Sequence, residues 1–524
     1  MRRRLLPGGR GGRRRATCLR APGRGRAPAL GRALTVLLLT TALGTAGRPA
    51  LAALPAPLKG TGLLHWTACA RPDALPEARC TTLRVPLDHS RPGGPTIPLV
   101  IARLPARHPE RRIGPLLING GGPGGSAVRD VATAAPPFDT PELDRLRDRF
   151  DLIGMDPRGV GESAPVRCDR PLRDPAVRAF PRTPAEFARL AHLNRDAGRS
   201  CRRATGPLLA HVDTRSVVRD VDAVRTALGA ETLSWFGLSY GTEIGTLYAE
   251  HAPHRVRAMV LDGAVDHDRS TRRAALDEAR ATEAAFARFT AWCRTGTTCA
   301  LHGWDVPAVY DRLMADAERG RVRAAAPGVG RRLAASAEEL AGGAYTYLTE
   351  RARWPRLAQA LAAAAGTDGP PDASALLRAA PYGQSAYPSY RAVGCHDFAP
   401  GTRGFADFKR RWTRLRAAAP HTWRYSEFWD WTSGCLGWPV KAANPPAPVD
   451  VRGTPPVLVV STLHDPATPY AWARALASDI AGARLLTADL DGHTGALHSS
   501  CARAQEAAYL VTVRLPAAGS VCRR

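Results

Sequence analysis

The chain has 524 residues, 44% of them hydrophobic and 23% charged, the profile of a globular protein long enough to bury a large core. Its net charge is +26, yet twelve arginines and no acid fall within residues 1–52, and beyond them arginine is scattered through Ala/Gly/Pro-rich sequence. With lysine confined to Lys59, Lys409 and Lys441, and no basic stripe interleaved with aromatics, the charge does not describe a nucleic-acid surface.

Residues 1–52 read as a secretory signal: arginines first, a short apolar run at 33–43, then Ala50-Leu51-Ala52 as a cleavage site. The apolar run is shorter than the ~20 residues of a membrane span, so no stable span is expected after cleavage. From residue 97 onward, apolar runs at 98–104, 114–119, 150–155, 232–236 and 256–261 read as strands. Val217, Val218, Val221, Val224 and Leu228 fall at helical spacing and end at Gly229. Strands alternating with helices predict a mostly parallel sheet covered by helices. Residues 270–320 and 335–365 are Ala/Arg/Glu-rich with helical periodicity, residues 366–450 are rich in Pro, Trp and Tyr, and strand signals return at 456–461 and 483–488. The expected organisation is a signal at 1–52, an α/β core at 53–267, a largely helical lid inserted at 268–450, and the rest of the core at 451–524.

The chemistry centres on Gly237-Leu-Ser-Tyr-Gly241, a G-x-S-x-G between a strand and a helix. Such a turn holds Ser239 Oγ clear of the sheet, with the Tyr240 N–H beside it. A serine hydroxyl needs a base, and the base an orienting carboxylate. In this fold class the order is Ser, then Asp or Glu, then His. Asp465 follows the strand at 456–461 and His493 follows that at 483–488, so both order and location fit. His464, His498, Asp489 and Asp491 are rivals. His493 is preferred because Gly492 allows close approach to the serine, and Asp465 because Asp489 and Asp491 are too near His493 in sequence to orient its ring. The run Asn119-Gly-Gly-Gly-Pro-Gly-Gly-Ser126 follows a strand and offers backbone N–H groups. Gly122, or else Gly121, would join the Tyr240 N–H in holding an oxyanion. Asp156-Pro-Arg-Gly-Val-Gly-Glu-Ser163 reads as a loop bordering the site.

Ten cysteines follow the signal: Cys69, Cys80, Cys168, Cys201, Cys293, Cys299, Cys395, Cys435, Cys501 and Cys522. An even number in an exported chain predicts disulfides, and their grouping suggests pairing between neighbours in sequence. No C-x-x-C occurs, so no zinc or redox motif is indicated, and neither a metal nor a cofactor is expected.

The segments NGGGPGGS, DPRGVGES, GLSYGT, LDGAVD, HDPATPY and DGHT, in this order, resemble those of the secreted actinobacterial tripeptidyl aminopeptidases. These belong with the proline iminopeptidase-like serine exopeptidases of the α/β-hydrolase fold. The resemblance runs from about residue 60 to 524 and includes the cysteine pattern. It implies Ser239, Asp465 and His493 as nucleophile, acid and base, with oxyanion donors at Tyr240 and near Gly122. It also implies a lid between the core halves and removal of short peptides from free N-termini, outside the cell. One departure is Glu243, an acid just after the elbow where an aromatic or aliphatic residue is expected. An exopeptidase needs carboxylates to hold the substrate ammonium, and Glu243, Asp397 and Glu427 are the candidates. A carboxylic ester hydrolase is the alternative on the same fold; a non-catalytic binding protein is a third reading, weakened by the presence of every catalytic element.

Overall fold

A computed structural model describes residues 64–325, 332–367, 369–381 and 385–523. The signal-like segment 1–52 lies outside the described residues. Among the described residues twelve strands occur in chain order: β1 (Thr67–Ala68), β2 (Arg79–Pro86), β3 (Thr96–Leu104), β4 (Gly114–Asn119), β5 (Phe150–Met155), β6 (Leu233–Leu238), β7 (Val256–Asp262), β8 (Arg323–Ala325), β9 (Arg332–Ala334), β10 (Leu458–His464), β11 (Arg484–Asp491) and β12 (Val521–Cys522). Ten of them form one sheet in the order β1-β2-β3-β5-β4-β6-β7-β10-β11-β12, and β8 pairs with β9 alone. The sheet is antiparallel from β1 through β3 to β5. Every pair from β5/β4 to β11/β12 is parallel.

Every residue of β4, β5 and β6 is buried. A parallel strand covered on both faces has no polar side, so its sequence is a continuous apolar run. Successive side chains then serve two cores. Leu117, Ile153, Trp235, Met259 and Val459 face one, together with Val217, Val218, Val221 and Val224 of the helix Thr214–Ala227. Leu116, Ile118, Leu152, Phe236, Val260 and Val460 face the other, with Val128, Val131, Tyr509 and Leu510.

Between the adjacent strands β7 and β10 the chain makes a long excursion, mostly helical, from Thr271–Thr295 to Glu427–Gly434. It packs in two parts. Phe286, Phe289, Leu313, Leu340, Trp354 and Leu361 form a core of their own. Tyr390, Phe398, Phe408, Phe428, Trp429 and Trp431 merge instead with the core on one face of the sheet. The ten cysteines lie in five pairs, 69–80, 168–201, 293–299, 395–435 and 501–522. Among the described residues no helix is long and apolar enough to cross a membrane.

Candidate active site

Parallel strands end together, and the loops at their carboxyl ends converge on one crevice. Ser239 stands there, directly after β6, with φ 53° and ψ −126°. Positive φ is costly for a side-chain-bearing residue and persists only where its surroundings over-determine it. The surroundings do so. The Ser239 N–H donates to Asp262 O at 2.9 Å, and Thr242 Oγ1 donates to Ser239 O at 2.6 Å. Glycines flank the serine because there is no room for anything else: a Cβ on Gly237 would lie 2.4 Å from Gly241 O, and one on Gly241 would lie 2.3 Å from Asn119 O. Tyr240 opens the helix Tyr240–His251, the elbow helix, so no helical carbonyl lies in reach of its N–H.

His493 lies in the loop after β11. Its Nδ1 is 2.9 Å from Asp465 Oδ2 and 3.0 Å from Oδ1. Asp465 is 2% exposed and is held by the N–H groups of Ala467 and Thr468, at 2.8 and 2.9 Å, and by Thr468 Oγ1 at 3.0 Å. Thr468 Oγ1 also lies 3.3 Å from His493 Nδ1. Burial alone would disfavour the imidazolium, but the charges of Asp465, Glu427 and Asp262 outweigh it and raise the His493 pKa above the ordinary histidine value. The end of β7 joins this loop to the serine. The Asp262 carbonyl receives Ser239 N–H, its carboxylate accepts from Gly495 N at 2.8 Å and Ala496 N at 2.7 Å, and a Cβ on Gly263 would sit 3.0 Å from His493 Cε1.

Two of the rivals have other surroundings. Asp491 pairs with Arg288 and Arg351. His498 packs against Gly492, where burial lowers its pKa. In the glycine loop, Gly121 N–H is committed to Asn119 Oδ1 at 3.0 Å, whereas Gly122 lines a small cavity together with Ser239 and Tyr240.

That cavity, about 10 Å³, is also lined by Val265, Phe398, Phe428, Trp431, Ala467, Thr468 and Glu427. Of the three carboxylates singled out from the sequence, Glu427 alone stands on its wall. Glu243 and Asp397 do not: both are buried around Asn444, Glu243 in the elbow helix itself. A fourth carboxylate, not picked from the sequence, backs Glu427. Glu278 is fully buried and accepts the N–H groups of Glu427 and Phe428 at 2.9 and 3.0 Å, and Tyr345 Oη at 3.2 Å. Burial first, and the Glu427 charge second, push its pKa to about 8. The signal was present: Glu278 sits on the buried stripe Ala274, Ala275, Ala279 and Thr282 of the helix Thr271–Thr295, where an acid has no business unless it is paired. Among the described residues no cluster of His, Cys, Asp and Glu could hold a metal ion.

A serine at such an elbow and a carboxylate-held imidazole in an adjoining loop are groups that acyl transfer requires. The chain is similar to known proteins over most of its length. The family described as alpha/beta hydrolase fold matches residues 114–303, and that described as TAP-like protein matches residues 421–522. The serine protease Hip1 of Mycobacterium tuberculosis is 33% identical over 485 residues, 88% of this chain and 91% of that protein. A tripeptidyl aminopeptidase of Streptomyces lividans is 31% identical over 479 residues, 88% of this chain and 86% of that one. A carboxylesterase B of Mycobacterium tuberculosis is 33% identical over 478 residues, 87% and 89% of the two chains.

Proposed function

Since the chain belongs to the tripeptidyl aminopeptidase-like serine hydrolases of the α/β-hydrolase fold, we propose that it is a secreted exopeptidase releasing short peptides, tripeptides foremost, from free N-termini through an acyl-enzyme on Ser239. His493 takes the Ser239 proton as Oγ attacks the scissile carbonyl. Asp465 holds the imidazole by Nδ1, which leaves Nε2 for the serine, and it stabilises the imidazolium. The Tyr240 and Gly122 N–H groups receive the oxyanion. Collapse of the tetrahedral intermediate transfers the proton from His493 to the leaving amine, and water then releases the N-terminal fragment by the same steps in reverse. The insertion at 268–450 serves as the lid. Export is supported by the signal-like N-terminus and the five cysteine pairs.

The observation that carries the exopeptidase reading is Glu427, a carboxylate on the wall of the cavity that holds Ser239. A substrate ammonium brought into so small a place needs a paired charge, because an unpaired one costs several kcal/mol. Glu278 behind it orients the start of the helix Glu427–Gly434 through two N–H groups. The distance from bound ammonium to Ser239 would set the length released, at ~3.3–3.6 Å per extended residue.

The test is a ladder of mono- to tetrapeptidyl amides, with free and acetylated N-termini, on wild type and Glu427→Gln. The free tripeptidyl amide should lead the ladder. Acetylation should lower kcat/KM by at least about 10²-fold, equivalent to ~2.7 kcal/mol, and Glu427→Gln should remove most of that difference. Equal cleavage of blocked and free amides would sink the reading in favour of the ester hydrolase. That second reading is favoured by the carboxylesterase-named relative and the apolar wall of Val265, Phe398, Phe428 and Trp431.

A further inference from the structure

Glu243, the acid that departs from expectation after the elbow, is 1% exposed, and its Oε2 has no hydrogen-bond partner. Its Oε1 lies 3.4 Å from Asn444 Nδ2 and 3.1 Å from His267 Nδ1. The same Asn444 amide donates to Asp397 Oδ1 at 3.0 Å. Asp397 also receives the Thr214 N–H at 3.2 Å, and its Oδ2 is 2.6 Å from Thr214 Oγ1. That hydroxyl is in turn 2.5 Å from Tyr240 Oη. All six residues are buried.

They come from five places in the chain. Thr214 starts the helix Thr214–Ala227, and Tyr240 and Glu243 form the first turn of the elbow helix. His267 stands where the chain leaves β7 for the insertion, Asp397 ends the helix Tyr387–Asp397 inside it, and Asn444 lies on the return. The two stem segments are tied by Ala447 N to His267 O at 3.1 Å, and the return is tied to the insertion by Asn444 N to His396 O at 3.2 Å. The strained serine and the Tyr240 N–H are thus fastened, through Tyr240 Oη, to the base of the insertion.

We propose that Glu243 is a positioning residue: with Asp397 it forms a buried carboxyl pair that, while uncharged, latches the stem of the insertion to the first turn of the elbow helix and so holds Ser239 and the Tyr240 N–H in register. A charge appearing on the pair opens the latch. The groups facing it are Asp213, Thr214 and Arg215 from the helix Thr214–Ala227, Tyr240 from the elbow helix, His267 from the stem and Asn444 from the return. Arg215 is turned to Asn444 Oδ1 at 2.9 Å, and Asp213 opposes a second negative charge. Burial, with Asp213 nearby, pushes Asp397 to about 8. Burial, with Asp397 nearby, pushes Glu243 well above the carboxylate range. Burial holds His267 down to about 4, so it stays neutral and offers no counter-charge. Both acids keep their protons longer than in the unfolded chain. Their cost to stability is therefore absent below the ordinary carboxylate range and accumulates as pH rises toward the folded values.

This inference rests on the reading of Ser239 and Tyr240 above, and its test separates the two. The measurement is kcat and KM for a free tripeptidyl amide across about pH 6–10, per active site titrated with a phosphonate, for wild type, Glu243→Gln and Asp397→Asn. Wild-type kcat should fall once pH passes about 8, approaching tenfold per pH unit as one proton is lost, with KM nearly constant. Asp397→Asn, which keeps an acceptor for Asn444 but cannot ionise, should hold kcat within about threefold at pH 7 and shift the alkaline limb upward by about one unit or more. Glu243→Gln leaves Asp397 to titrate, so its limb should stay near that of wild type; if Asp397→Asn does not fold, the melting comparison below decides with Glu243→Gln. Coincident alkaline limbs in wild type and Asp397→Asn would overturn the latch. So would a Glu243→Gln effect confined to the KM of free-amine substrates, which would return Glu243 to ammonium binding. Thermal melting needs no turnover, so it tests the latch even if Ser239 were not the nucleophile. The melting temperature of Glu243→Gln should gain on wild type as pH rises from about 6 to 9, and a constant difference would contradict the proposal.

Discussion

At the scale of single residues, the site depends on how the sheet ends converge more than on the motif alone. G-x-S-x-G was legible as an elbow from the strand-like run before it and the helix-like run after it, and the close approach of Gly241 O and Asn119 O accounts for its glycines. Asp465 and His493 were legible by chain order and by strands that precede them. Glu278 was legible as an acid on an apolar helix stripe but passed over; Thr468 and the burial of Glu243 were not legible, because side-chain burial follows from which helix face meets which neighbour, and one sequence does not state that. Ser239→Ala should abolish both turnover and phosphonate labelling while leaving the melting curve in place; labelling that survives would move the nucleophile elsewhere. The base proposed at His493 adds a pH signature. Its pKa is raised by Asp465, so the inactive imidazolium persists to higher pH and the acid limb of kcat/KM should have its midpoint above the ordinary ~6.5. Asp465→Asn should move that midpoint down and cut kcat by about 10⁴-fold, the scale found where the orienting carboxylate of such a triad is replaced. An acid limb unmoved in Asp465→Asn would break the assigned contact.

At the scale of elements, the sequence disclosed most fully two of the strands that are buried on both faces, β4 and β5. β4 and β5 coincide with their apolar runs, and β6, β7, β10 and β11 differ from theirs by one to three residues at the ends. β2, Arg-Cys-Thr-Thr-Leu-Arg-Val-Pro, escaped notice because it lies toward the sheet edge with mixed exposure, so no apolar run marks it. The hairpin β8–β9 sits between two helical stretches and is only three residues a side. At the far edge, Cys501 in the helix Ser500–Thr512 meets Cys522 in β12, closing 21 residues that follow the His493 loop. Replacing both by serine should lower stability by roughly 3 kcal/mol in the chain-entropy account, read as a drop in denaturation midpoint. Free-thiol titration of the denatured, unreduced protein should find no reactive thiol among the ten, and several would contradict the pairing.

At the scale of the whole molecule, the proposed reacting groups stand at the ends of the sheet's parallel strands, and an insertion between β7 and β10 contributes to the cavity beside Ser239. The insertion's double allegiance, one part with its own core and one merged with the sheet face, places Glu427 and the aromatic wall against the serine. The cavity they line, about 10 Å³, is roughly what a single water fills. The most direct measurement of the central claim is the intact and peptide-mapped mass of enzyme acid-quenched during turnover of an unblocked tripeptide aryl ester. The account predicts an adduct with the mass of the tripeptidyl acyl group, carried on the peptide that contains Ser239 and lost with time as water deacylates it. Turnover without an adduct on Ser239, or an acetylated tripeptide that acylates it equally fast, would contradict the account.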